Sequence, residues 1–166
     1  MGATHHLKFD IDGVDEKRKK FFGTLFNMYN FFATYANIDG FAYKEADIPM
    51  EDRPEIDRWI ISLLNTLSQE VIADYANYEP TSATRKIQSF VEDHLSNWYV
   101  RLCRRRFWKG DYEQDKISAY QTLYTCMLTV AKLSAPVAPF FMDRLYKDLT
   151  KSAGNEEFES VHLAEF

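Results

Sequence analysis

Residues 54–76 read PEIDRWIISLLNTLSQEVIADYA, and this stretch decides the fold class. Its apolar residues recur at spacings of three and four, which places them on one face of an α-helix. These residues are Ile60, Leu64, Leu67, Val71 and Tyr75. Pro54 suits the first position of such a helix. The stretch therefore predicts an amphipathic helix, which must bury this face against other helices.

The same spacing on both sides of this stretch predicts four further helices, at about 15–36, 81–108, 115–135 and from 139 onward. The apolar stripes of the first, fourth and fifth helices are Phe22, Leu25, Tyr29, Phe32 and Ala36; Tyr120, Tyr124, Met127 and Ala131; and Phe141, Leu145 and Leu149. Five antiparallel helices joined by short loops form an all-α antiparallel helical bundle. The acidic tail 155–166 is expected to be extended.

Turn and capping residues set the predicted ends of these helices. Thr81 and Asp115 are expected N-caps of the third and fourth helices. Gly110 is expected to stop the third helix, and Pro136 the fourth. These boundaries leave only short connections between the last three helices.

Composition excludes several classes of protein. A chain of 166 residues suits one domain. No apolar stretch is long enough to span a membrane, and no secretory leader is visible. Cys103 and Cys126 lie in helical patterns and are expected to be buried free thiols in a reducing compartment. We therefore expect a cytoplasmic, monomeric protein without a membrane partner.

A basic segment, residues 97–109, reads NWYVRLCRRRFWK. The nine residues from Arg101 to Lys109 hold five positive charges and no negative ones, whereas the whole chain carries −5, so the remainder carries −10. A wheel of 100° per residue assigns Val91, Leu95, Trp98 and Leu102 to the core. The same wheel places Asn97, Arg101, Arg104 and Trp108 on a second stripe, with Arg105 beside it and Lys109 following.

This second stripe has the chemistry of an RNA-binding surface. Arginine offers a planar fork for phosphate oxygens, tryptophan offers a face on which bases stack, and asparagine can bond a base edge. Two alternatives remain open from the residues alone. The arginines could be paired with acids on neighbouring helices, or the Arg/Trp face could be a hot spot for another protein.

Motifs for catalysis or for a metal are absent from the sequence. It has no Gly-rich phosphate loop, no paired-Cys motif, no HExxH and no nucleophile elbow. Glu159 and His162 have a spacing found in di-iron bundles, but they lie in the tail. His5 and His6 resemble a cloning remnant, which we assign to residues 1–6. We expect no catalytic residue and no metal site.

Several runs of sequence resemble isoleucyl-tRNA synthetases, which are class I aminoacyl-tRNA synthetases. These runs are KFFGTL at 20–25, DRWI at 57–60, DHLSNWYVR at 93–101, RRRFWKG at 104–110, DKISAYQTLY at 115–124, APVAPF at 135–140 and ESVHL at 159–163. The resemblance covers residues 7–166. His94 and the Leu102-Cys103 pair depart from the family pattern, which weakens one possible basic contact.

The resemblance implies a helical domain at 7–154 that binds the anticodon stem-loop of isoleucine tRNA, followed by a linker at 155–166 toward a C-terminal region. It implies that the parent enzyme attaches isoleucine to its tRNA using ATP and Mg²⁺. The family's ATP-site signatures, HIGH and KMSKS, do not occur in this sequence. We therefore expect this chain to be an excised domain that binds tRNA, needs no cofactor, does not bind DNA and is inactive by itself.

Overall fold

A computed structural model of the chain describes residues 11–109, 111–153 and 158–164. The segment 1–6, with its two histidines, lies outside the described residues, as does the stop predicted at Gly110. The side chains of Lys17 and Ser152 are likewise not described. Within the described ranges the fold is all-α and has five helices and no strand, as the sequence predicts.

The five helices are numbered α1 to α5 in chain order. Helix α1 spans 11–39 and contains a π-helical turn at Arg18–Phe22 between α-helical parts at Ile11–Lys17 and Gly23–Asp39. Helix α3 spans 80–108 and is α-helical at Pro80–Ser89, π-helical at Phe90–Val100 and α-helical at Arg101–Trp108. Helices α2, α4 and α5 are Glu55–Ala76, Gln114–Ser134 and Pro139–Ala153. Short 3-10 turns occupy Met50–Asp52 and Val161–Leu163.

The ends of the helices follow from their local sequence. Helix α1 ends at Gly40, whose φ of 71° lies in the left-handed region that glycine adopts without strain. The predicted N-caps at Thr81 and Asp115 are wrong. Helix α3 begins at Pro80, because the fixed φ of proline suits the first helical position. Glu113 precedes helix α4, so Asp115 lies inside its first turn.

Helices α2 and α3 run antiparallel. Asp57, near the start of α2, contacts Arg106 near the end of α3. Asp74, near the end of α2, forms an ion pair with Lys86 near the start of α3, at 2.9 Å. These two contacts fix both the direction and the register of the pair.

Helix α4 is the central helix of the bundle. Fourteen of its 21 residues are buried, so its whole circumference, and not one stripe alone, is covered by other helices and by the loop that precedes α2. The predicted stripe Tyr120, Tyr124, Met127 and Ala131 is buried throughout. Polar residues beside that stripe, such as Gln121 and Thr122, are buried as well. The sequence predicted an amphipathic helix, because small and polar residues beside the apolar stripe are typical of an exposed face.

The residues of α3 that face the core differ from those that the helical wheel assigned to it. Val91 and Leu95 are buried as predicted, but Trp98 is 57% exposed and Leu102 is 56% exposed, so their assignment to the core is wrong. The buried residues recur instead at a spacing of four, as Val91, Leu95, Tyr99, Cys103 and Phe107.

A π-helical segment explains this spacing. In an α-helix a spacing of four drifts by about 40° at each step, so Val91 and Phe107 would point in nearly opposite directions. A π-helix bonds i to i+5 and holds more residues in each turn. The eleven π-helical residues at Phe90–Val100 therefore keep the four-residue series facing the core and turn Trp98 outward.

The remaining predictions concern the cysteines and the tail. Cys103 and Cys126 are buried and free, as expected. Within 158–164 the tail is not extended throughout, because Val161–Leu163 forms a 3-10 turn against α5. Asp143 on α5 accepts hydrogen bonds from Ser160 Oγ at 2.6 Å and from the Val161 amide at 3.1 Å. These bonds hold the turn, and Val161 is buried beneath it.

Candidate nucleic-acid interface

The C-terminal part of α3, with Lys109 directly after it, carries the six residues that the sequence predicts as an RNA-binding surface, here called the basic stripe. All six side chains are exposed: Asn97, Arg101, Arg104, Arg105, Trp108 and Lys109. Trp108 is 55% exposed, so its indole is available to a ligand. The structure therefore leaves all six accessible to a ligand at the C-terminal end of α3.

The arginines of the basic stripe are not neutralised by neighbouring acids. Among the residues that the structure describes, no carboxylate forms an ion pair with Arg101, Arg104 or Arg105. The alternative that acids on neighbouring helices pair with the arginines thus fails for these three. Their guanidinium groups keep their donors available to a ligand.

Among the residues that the structure describes, Arg106 is the arginine of the segment that pairs with acids. Its Nη1 and Nη2 donate to Oδ1 and Oδ2 of Asp57 at 2.6 and 2.8 Å, in a bidentate arrangement. Nη2 also donates to the Asp115 carbonyl oxygen at 2.7 Å, and Nε lies 3.0 Å from Asp115 Oδ1. Arg106 thereby joins α3 to both α2 and α4.

Asp57 is fully buried and accepts hydrogen bonds from three side chains. Besides Arg106, Tyr99 Oη donates to Oδ1 at 2.8 Å and Ser118 Oγ donates to Oδ2 at 2.5 Å. A buried carboxylate with this many donors is satisfied, whereas an unpaired one would be costly. The network ties three helices together directly beneath the basic stripe.

The charge of Asp57 also changes the acidity of its partners. Burial by itself would lower the pKa of the Arg106 guanidinium, but the hydrogen bonds and charge of Asp57 outweigh burial and raise that pKa. Burial, and then the Asp57 charge, raise the pKa of the Tyr99 hydroxyl well above its usual range. Both groups therefore remain protonated at neutral pH, so the network keeps its donors.

A buried lysine holds the end of α3. Lys116 is buried, and its Nζ donates to the Lys109 carbonyl oxygen at 2.6 Å. The same Nζ lies 2.6 Å from Oδ2 of Asp39, which also accepts from Tyr120 Oη. Because the last carbonyls of a helix have no partner within the helix, this bond stabilises the turn that carries Trp108 and Lys109.

Sequence reasoning missed the roles of Asp57 and Lys116, although a signal was present. Asp57 lies three residues before Ile60, on the same stripe that faces the core. Lys116 lies four residues before Tyr120, on the buried face of α4. A charged residue in line with a core stripe indicates a buried ion pair, because a charge is rarely buried without a partner.

Other kinds of site find no support in the described part of the chain. No helix there is long and apolar enough to cross a membrane. No group of three or more His, Cys, Asp or Glu side chains is placed there to hold a metal ion.

Comparison with known proteins assigns the family. A family model described as the anticodon-binding domain of tRNA ligase matches residues 57–166, which include nearly all of α2 and the whole of the basic stripe. The chain belongs to this family. The match thus covers the helices that form the buried network as well as the surface above it.

Individual relatives carry a more specific name. An isoleucine-tRNA ligase of Bacteroides thetaiotaomicron is 66% identical over 161 residues, which are 97% of this chain and 14% of that protein. The ligase of Porphyromonas gingivalis is 63% identical over the same shares. That of Thermus thermophilus is 43% identical over 96% of this chain and 15% of the ligase. The resemblance to isoleucyl-tRNA synthetases is confirmed, and the chain spans 14–15% of the length of these three relatives.

Proposed function

We propose that this domain binds the anticodon stem-loop of an isoleucine tRNA through the basic stripe. The observation that carries the proposal is the contrast within one helix. Arg106 forms ion pairs within the buried network, whereas Arg101, Arg104 and Arg105 are exposed and pair with no described carboxylate. The buried network fixes the position of this end of α3, and the exposed guanidinium groups can then bind an anionic ligand.

Each residue of the basic stripe has a role in this proposal. The three arginines and Lys109 contact phosphate oxygens and set the register of the RNA. Trp108 provides a face on which an unpaired base stacks, and the Asn97 amide bonds a base edge. Identity is therefore read at the loop, and most of the affinity comes from the backbone contacts.

In a complete ligase this domain would position the tRNA and leave the chemistry to other parts of the enzyme. In the parent enzyme, attachment of isoleucine would use ATP and Mg²⁺, and the ATP-site signatures HIGH and KMSKS do not occur in this sequence. We therefore assign ATP, Mg²⁺ and the acyl transfer to regions other than residues 7–154. We further propose that the domain is monomeric and cytoplasmic, and its two buried, free cysteines agree with a reducing compartment.

Replacing Arg101, Arg104 and Arg105 together by Gln tests the proposal. The affinity for isoleucine tRNA in filter binding should fall most at low salt. The slope of log affinity against log salt should flatten by roughly 0.7–0.9 for each phosphate contact removed. Melting should be little changed, because none of the three arginines pairs with a described acid.

A matched control removes three exposed positive charges elsewhere, as Arg18→Gln, Arg144→Gln and Lys151→Gln. This variant has the same net charge as the first but keeps the basic stripe. Its slope should stay close to that of the wild type. Equal losses in the two variants would show that net charge, and not the basic stripe, governs RNA binding, and the proposal would then be wrong.

A further inference from the structure

An open apolar groove, here called the tryptophan groove, lies between α2 and α3 beside the basic stripe. It is lined by Glu55, Ile56, Trp59, His94, Trp98 and Leu102. Trp98 and Leu102 are each more than half exposed, and Trp59 is 36% exposed. Large apolar side chains grouped on a surface in this way mark a place where a ligand binds.

Packing of the core does not require these side chains. The π-helical segment directs Tyr99 and Cys103 inward, and it leaves Trp98 and Leu102 outside. The indole of Trp59 packs edge-on against the His94 ring, at a centroid distance of 6.1 Å and an interplanar angle of 81°. The groove is thus formed by side chains held in place at its base and accessible from solvent.

The charges around the tryptophan groove indicate the kind of ligand. Arg101 and Arg105 each follow a groove residue by three positions on α3, so they lie on its border. Neither pairs with a described carboxylate, which favours a polyanion over an ordinary protein surface. Glu55 lines the groove itself and repels phosphate. A ligand with an uncharged flat part inside and phosphates at the border satisfies both conditions.

We propose that the tryptophan groove accepts one unpaired base of a bound RNA, stacked against Trp98 and enclosed by Trp59, with the adjoining phosphates on Arg101 and Arg105. This inference rests on the proposed tRNA binding and adds a second stacking position, separate from Trp108. Single-stranded RNA is recognised in this manner, by aromatic faces for the bases and guanidinium groups for the backbone.

Trp98→Ala tests the tryptophan groove with three probes: isoleucine tRNA, an unpaired RNA decamer, and a duplex RNA with the same number of phosphates. Affinity for the first two should fall by about 5- to 150-fold, as expected for one lost stacking contact, with an unchanged salt slope. Affinity for the duplex should not change. Trp98→Phe retains an aromatic face and should restore most of the affinity.

A matched control is Phe140→Ala, which removes the side chain of another exposed aromatic residue, on α5 at the other end of the bundle. It should bind all three probes as the wild type does.

Fluorescence gives a readout that does not depend on removal of Trp98. The chain has three tryptophans, so the double variant Trp59→Phe/Trp108→Phe reports on Trp98 alone. Its emission should be quenched by the decamer and protected from iodide.

The possible outcomes separate this inference from the proposed function. If Trp98→Ala and Trp59→Ala bind tRNA as tightly as the wild type, while the triple arginine variant loses affinity, the groove proposal is overturned and tRNA binding stands. If the wild type binds no tRNA at low salt, the proposed function fails, and this inference fails with it. If Trp98→Ala loses a protein ligand without any change in RNA affinity, the groove is a protein interface and the proposal is wrong.

Discussion

At the scale of single residues, Asp57 is the side chain on which the position of the basic stripe depends most. It is fully buried and bonds Arg106, Tyr99 and Ser118, which belong to two other helices. A buried ion pair adds little to stability compared with an apolar replacement, but removal of one partner leaves an uncompensated charge. The network therefore specifies a geometry more than it adds stability.

Asp57→Ala should lower the free energy of unfolding by about 3–5 kcal/mol, because Tyr99, Ser118 and Arg106 would lose the buried carboxylate to which they all donate. Urea denaturation followed by circular dichroism measures this change. Asp111→Ala, at an exposed position in the loop before α4, is the control and should have little effect. The double variant Asp57→Ala/Arg106→Met should recover part of the loss. A single-variant cost below about 1 kcal/mol would contradict the role assigned to the network.

The exposed residues of the site could be predicted from the sequence, but the buried network that holds them in place could not. Asn97, Arg101 and Trp108 lie off the core stripe on the wheel and are exposed in the structure, but the same wheel wrongly assigned the exposed Trp98 and Leu102 to the core. The role of Asp57 depends on Arg106 and Ser118, which are 49 and 61 residues away in the chain. A helical periodicity carries no information about such distant partners, although a charge on a core stripe shows that one must exist.

At the scale of helices, the π-helical segment of α3 decides which tryptophan reaches solvent. A uniform 100° per residue places Leu95 and Leu102 on the same core face, but in the structure Leu95 is fully buried and Leu102 is exposed. The regular four-residue series of apolar positions could have indicated a wider helix. Single-sequence reasoning had no reason to prefer it, because π-helices are rare.

Two substitutions of identical chemistry test this assignment. Leu95→Ala should cost about 2–5 kcal/mol of unfolding free energy, as for a leucine removed from a well-packed core. Leu102→Ala should lie within about 0.5 kcal/mol of the wild type, as for most exposed positions. Chemical denaturation of the pair under the same conditions measures both. Similar costs for the two variants would mean that α3 is regular and that Leu102 belongs to the core.

The 3-10 turn at Val161–Leu163 should be released from α5 in acid. Hydrogen bonds from Lys147 and Ser160 lower the pKa of the Asp143 carboxyl to about 2. In the unfolded chain this carboxyl titrates near the ordinary value of about 3.9. Since the folded-state pKa is the lower one, the contribution of Asp143 to stability is complete above about pH 4 and is lost as the pH falls to about 2.

Comparison of the wild type with Asp143→Asn isolates this carboxylate from other titrating acids. The melting temperature of the wild type should exceed that of the variant above pH 4, and the difference should shrink steadily as the pH falls from about 4 through about 2. Circular dichroism melts at half-unit steps of pH provide the measurement. A difference that is independent of pH would show that the charge of Asp143 does not hold the turn.

At the scale of the whole molecule, charge is distributed unevenly. An acidic chain presents three closely spaced arginines, unpaired with any described carboxylate, at the end of α3, near the start of α2 and α4, so its attraction for RNA should be strongest there. The all-α bundle was predictable because five helices repeat an unambiguous period. The central position of α4 was not predictable, since it depends on how all the other helices pack around it.

The local positive charge leads to a prediction for an assay in which the domain is added to a full-length ligase. If the domain binds isoleucine tRNA, an excess should inhibit transfer of isoleucine to tRNA by the ligase of Bacteroides thetaiotaomicron, because it withholds the tRNA. It should not inhibit isoleucine-dependent exchange of pyrophosphate into ATP, a step that precedes transfer to tRNA. The triple arginine variant should inhibit neither reaction, and added tRNA should relieve the inhibition by the wild type. The domain alone should support no exchange. Inhibition of both reactions, or equal inhibition by the variant, would show that the domain acts on the enzyme itself and not on the tRNA.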